Sequence, residues 1–152
     1  METGLLHLHN LLRWVILILL LWNIFRHFSA GNKPFTTGDK KLGLWLMISA
    51  HTTLLIGLYQ WTLGRFGWMH VPAEANIMKD KFWRFFLIEH PVGMLIAIVL
   101  ITIGKGVAKK NIADATKHKR TAVLFTIALI IILASVPWPF RESIARPLFP
   151  GM

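Results

Sequence analysis

The chain has 152 residues, 55% of them hydrophobic and seven of them Trp, with a positive mean hydropathy and a net charge of +10. A soluble domain of this length needs far more polar surface to cover its core, so the composition excludes one and points to a polytopic membrane protein. The absence of cysteine excludes disulfides, thiolate metal sites, iron–sulfur clusters and covalently attached c-type haem.

Four apolar stretches are read as crossing a hydrocarbon layer, which takes roughly 20 residues, three of them 22 to 24 residues long and the last 16. They run about 5–28, 42–63, 83–104 and 121–136. Lipid leaves backbone polar groups no partner outside helices and closed barrels, and the alternation of a barrel strand is absent. The expectation is an all-α, single-domain bundle of four transmembrane helices, up-down-up-down, covering residues 1–152.

The first span opens with HLHNLLRW and has no small-residue cleavage site after it, which predicts a retained anchor. Arg26, Lys33, Lys40 and Lys41 follow it. The second span has Gly43, Ala50 and Gly57 at every seventh position, a flat stripe suited to close helix packing. Gly64, Gly67 and Pro72 then break the chain, and Trp61, Trp68, Trp83 and Trp138 fall near span ends as an interfacial belt. The third span begins at EHPVGM and leads into the basic run of Lys105, Lys109, Lys110, Lys117, Lys119 and Arg120. After the fourth span comes a tail, 137–152, with four prolines; no regular helix continues past Pro137. It is expected along the membrane interface with Arg141 and Arg146 turned to lipid phosphates.

The first and third loops lie on one side and, with the span ends, carry ten positive residues against six on the other. The positive-inside bias puts loops 29–41 and 105–120 in the cytoplasm and both termini outside. The basic loops are read as topology signals that attract anionic lipid in the bilayer and not as nucleic-acid contacts.

Against this apolar background, His9, His51, His90, Arg13 and Glu89 are costly in lipid and mark the functional region. His9 and His90 lie five to seven residues in from the outer ends. His51 is nearer mid-depth. The two helical hairpins read as a degenerate repeat in which His9 and His90 occupy equivalent places. Arg13, four residues after His9, shares its helix face, and Glu89 at similar depth is its expected ion-pair partner; the alternative is that Arg13 snorkels to the interface.

The histidines are read as axial ligands of b-type haem, with His9 and His90 the favoured pair and His51 with His90 the competitor. Arg13, Arg84, Tyr59 and outer tryptophans are candidates for the propionates, and Tyr59 with Gln60 for a quinone headgroup. His7 is a second-choice ligand; His27, His70 and His118 are read as solvated loop residues, and Met47 and Met94 as packing. Phosphate loops, HExxH, GxSxG and paired carboxylates are all missing, which disfavours hydrolases and nucleotide-driven functions.

The segments HLHNLLRW, AHTTLLIGLYQ, EHPVGM and PWPFRESIARPLFP together resemble small four-helix bacterial membrane proteins that carry the name cytochrome B, over nearly the full length. More distantly the chain is similar to the four-helix di-haem cytochrome b family of bacterial inner membranes, which passes electrons between quinone and a redox partner. That resemblance implies bis-histidine haem ligation for His9, His51 and His90. The fourth span has no histidine, so one haem is preferred and two is the upper bound. The leading expectation is a haem-b electron carrier working with the quinone pool or a larger membrane redox complex, which makes an oxidoreductase or electron-transfer subunit. The alternatives are a cofactor-free accessory subunit and a small metal-handling protein, and a homodimer is left open.

Overall fold

The computed structural model describes residues 1–149; residues 150–152 of the expected tail lie outside the described residues. Four long helices make up the chain: α1 (Glu2–Ala30), α2 (Thr37–Leu63), α3 (Lys81–Lys109) and α4 (Asp114–Ser135). Each contains a run long and apolar enough to cross a membrane. α1 packs on α2 and α4, and α3 packs on the same two, so α1 and α3 stand on the diagonal of the bundle. That is the arrangement a two-fold axis along the bundle gives to a pair of hairpins.

The outer surface of the bundle is strongly apolar. Phe25 is 75% exposed and Leu55 69%, while the fully buried positions are often small: Ala50, Ala97, Ala122 and Ala128. Small residues let helices approach in lipid, where apolar burial supplies little drive. Leu20, Leu46, Ile101 and Phe125 fill the centre between them.

The helices run past the apolar stretches because local caps extend them. Thr36 and Asp39 form a reciprocal capping box that starts α2, and Asp39 is also gripped by both arms of Arg26 at 2.7 and 3.1 Å. Asp80 starts α3 by accepting from the N–H of Phe82 and of Trp83.

α3 carries one widened, π-type turn, Phe85–Glu89, where the N–H of His90 reaches back to the carbonyl of Phe85. Pro91 follows and has no N–H, so the carbonyl of Leu87 loses its helical donor. The indole Nε1 of Trp61 fills the gap at 2.9 Å. The end of α4 repeats the device: Pro137 frees the carbonyl of Leu133, and Trp138 Nε1 donates to it at 2.8 Å. These tryptophans do more than sit at an interface.

The tail folds back over the end of the bundle that holds the N-terminus. Arg146 lies over the rings of Phe66 (4.1 Å), Phe86 (5.2 Å) and Phe82 (5.4 Å). Arg141 donates to the carbonyl of Ala134 and lies over Phe85. Both side chains therefore bind the protein's own helix ends and rings, which corrects the expectation that they turn to lipid phosphates: a cation–π seat and a free helix carbonyl are nearer than the headgroups.

Candidate functional site

His9 of α1 and His90 of α3 meet across the diagonal, their ring centroids 6.3 Å apart with planes at 64°. His90 is held by its Nδ1, which donates to the carbonyl of Ser135 on α4 at 2.7 Å. A carbonyl only accepts, so the neutral ring carries its proton on Nδ1 and keeps the lone pair on Nε2. Such an anchoring bond is the usual second partner of a metal-ligating imidazole. The ring of His9 packs on α2 where Gly57 has no side chain: a Cβ there would stand 3.4 Å from His9 Cε1. The small-residue stripe thus serves helix packing at Ala50 and seats a histidine at Gly57.

Arg13, one turn further along α1, does not pair with Glu89. Its Nη2 donates to the carbonyl of Leu148 in the tail at 2.6 Å, and Trp14 Nε1 donates to the same oxygen at 2.7 Å. Glu89 instead accepts from Arg84 Nε at 2.8 Å on the outside of α3. The physical reason is the π turn. Residues five apart fall on one side of such a turn, whereas in a regular helix they diverge by more than a third of a revolution. The tail also stacks Phe149 on Trp14 at 5.4 Å and so lies over this end of the bundle.

The region is rich in buried polar atoms that lack a well-formed hydrogen bond. Among the described residues there are seven, and five of them, His9 Nδ1, Asn10 Oδ1, Arg13 Nε, Gln60 Nε2 and Arg146 Nε, belong to this end. Buried donors and acceptors are normally satisfied, so a cluster of this kind marks a place for a ligand or ordered water. Gln60 lies one turn from Gly57, and Tyr59 beside it is half-buried.

His51 is not brought to this site. It is exposed on the seam between α2 and α3, where its Nε2 meets Thr102 Oγ1 at 3.0 Å. The Thr102 hydroxyl spends its own proton on the carbonyl of Ile98, so His51 is the donor. Met47 and Met94 pack against the core as expected, and His70 lies against the carbonyl of Gly64.

Two histidines read as loop residues are buried at the opposite, basic end. His27 is 2% and His118 1% exposed, and their Nδ1 atoms are 2.8 Å apart. His118 Nε2 meets the carbonyl of Lys33 at 3.2 Å and must donate to it. With both rings neutral, His118 Nδ1 then accepts from His27 Nδ1–H, and the lone pair of His27 stays on Nε2, which is buried without a protein partner. The sequence hides this pair, since both residues stand among basic neighbours. The available signal was position: His27 lies within helical reach of the first span and faces inward with Asn23, one turn earlier.

Two imidazoles suit one group better than another. Among the described residues no three His, Asp or Glu side chains gather as a bare metal ion would need. Haem iron takes four ligands from its porphyrin and needs only the axial pair. Metal–imidazole bonds of about 2 Å put the centres of two ligating rings roughly 6 Å apart, the separation of His9 and His90. The pair therefore has the number and spacing of an axial donor set. His27 and His118 lack that spacing: nitrogens sharing an iron stand about 4 Å apart, and theirs hydrogen-bond directly.

Family models, curated proteins and solved structures give no match to this chain.

Proposed function

We propose that the chain is a multi-pass protein of the bacterial inner membrane that carries electrons through one b-type haem held by His9 and His90, exchanging them with quinol and a redox partner. The observation that carries this reading is the meeting of two imidazoles from diagonal helices, one of them tautomerically fixed by the carbonyl of Ser135. When bound, haem supplies one-electron redox chemistry; the chain supplies the ligands and their surroundings.

The His90–Ser135 bond orients its ring and raises its basicity as a ligand. Arg13, one turn from His9 on α1, places positive charge near the site, which favours the reduced state. The rings of Trp14, Trp138 and Phe149, with the folded tail, cover the end of the bundle and limit water. Gln60, with its unmatched amide N–H, is the group offered to a quinone carbonyl. The count of one haem rests on His51 facing outward and His27 bonding directly to His118. Orientation follows the positive-inside rule, with loops 29–41 and 105–120 cytoplasmic.

A variant series tests the assignment. His9→Ala and His90→Ala purify without haem, whereas His51→Ala retains a full complement; haem loss in His51→Ala with retention in His9→Ala would reverse the ligand choice.

A further inference from the structure

The tail is clamped as far as Arg146 and strapped down beyond it. Arg146 donates its backbone N–H to the carbonyl of Pro137 at 3.0 Å and lays its guanidinium over the rings of Phe66, Phe82 and Phe86. Past that clamp, two carbonyls of the strap 147–149 accept hydrogen bonds from α1. Leu148 accepts from Arg13 Nη2 at 2.6 Å and from Trp14 Nε1 at 2.7 Å, and Pro147 accepts from Asn10 Nδ2 at 3.4 Å. Phe149 lays its ring on that of Trp14, the centroids 5.4 Å apart and the planes at 17°.

One oxygen taking a charged and a neutral N–H, with a flat ring stacked beside it, is the set of contacts that a quinone headgroup offers in a single molecule. We propose that Arg13 and Trp14 form a binding seat for the headgroup of a lipid-soluble quinone, and that the strap 147–149 is a lid which the quinone displaces. The choice of a quinone rests on the electron-carrier reading above. A quinone has two carbonyls, and Gln60 accounts for one at most.

The strap leaves part of the seat unused. Arg13 Nε and Asn10 Oδ1, one a donor and the other an acceptor, are buried without a well-formed hydrogen bond among the described residues. Buried polar atoms are normally satisfied, so a donor and an acceptor left over beside a filled carbonyl seat call for a ligand with more polar atoms than a peptide carbonyl has. Aromatic walls with a few placed polar groups are the usual make-up of a small-molecule site, and here Trp14 meets Trp138 edge-on at 6.3 Å.

The surroundings provide a way in. Leu11 and Ile18 stand three residues before and four after Trp14 on the same face of α1, and both are exposed, so the seat opens along an apolar flank suited to a prenyl chain. The lid is built to give way. It is the end of a chain, the part of a domain least tied down, and its ring on Trp14 is itself half exposed.

The test is equilibrium binding of menadione to the full chain in mild detergent, with 2-methylnaphthalene, the same fused rings without carbonyls, as the control. The chain has no cysteine for menadione to alkylate. Menadione should bind at least about tenfold more tightly than the control. Arg13→Gln should weaken it about tenfold, the weight of a hydrogen bond to a charged group, and Trp14→Phe, which keeps a ring and removes the N–H, about fivefold. Phe149→Ala, which strips the lid of its ring, should tighten it several-fold. If Arg13→Gln fails to fold by circular dichroism, Trp14→Phe carries the comparison. Equal binding of the two probes, or menadione binding untouched by Trp14→Phe, would overturn the proposal, since no carbonyl would be read there. Weaker binding in Phe149→Ala would also overturn it, because the tail would then be a wall of the site and not its lid. The readout needs no haem: a colourless chain that gives the expected pattern loses the haem and keeps the seat, whereas a haem-bearing chain without the pattern loses the seat alone.

Discussion

His90 hangs from Ser135: its Nδ1 donates to that residue's carbonyl at 2.7 Å, and α3 comes so close to α4 here that a methyl group on Gly93 would overlap the Ser135 side chain. The missing side chain at Gly93 is what lets a helix carbonyl near the end of α4 serve as the anchor for a ring on α3. Gly93→Ala should cost about 1–3 kcal/mol by overpacking and lower haem retention, because Ser135 must shift. Adding Ser135→Gly should restore most of both. Thermal unfolding in detergent, with haem per chain, reads the pair; a fully tolerated Gly93→Ala would mean the helices are not in contact as described.

The Trp61 indole and Pro91 form a matched couple around the carbonyl of Leu87. Trp61→Phe leaves that buried acceptor without a donor and should destabilise the chain by about 1–3 kcal/mol. In a Pro91→Ala background the helix regains its own N–H, and the same substitution should then cost clearly less. A double-mutant cycle on thermal unfolding measures the difference. Equal costs in both backgrounds would show that Trp61 acts by packing alone.

For the buried pair at the basic end, the bonds fix the tautomers. Side-chain 15N NMR of the chain in bilayers, at a pH where both rings are neutral, should show His118 protonated on Nε2 and His27 protonated on Nδ1. A proton on Nε2 of His27 would contradict the order of donors derived from the Lys33 carbonyl.

Much of the fold was legible because lipid simplifies the code: four runs of apolar residues have only the helix available to them. The helix ends were less so, since Thr36 with Asp39 and Asp80 extend α2 and α3 through polar sequence that hydropathy ends early. The approach of His9 to His90 followed from depth and from the repeat of two hairpins. The Arg13–Glu89 pair failed because a π turn re-aims Glu89, and nothing local to FFLIE announces a fifth residue in the turn. His27 and His118 were missed for a different reason: only closure of α1 against α4, with Phe35 at 5.3 and 4.9 Å from their rings, buries two residues that look solvated.

The claim that His9 and His90 hold a haem is tested most directly by the pigment content of the wild-type chain, purified in mild detergent from cells able to make haem. Haem quantified against polypeptide, with a reduced-minus-oxidised spectrum, should give one b-type haem per chain. A folded, colourless chain would contradict it, and the imidazoles of the diagonal would then be structural.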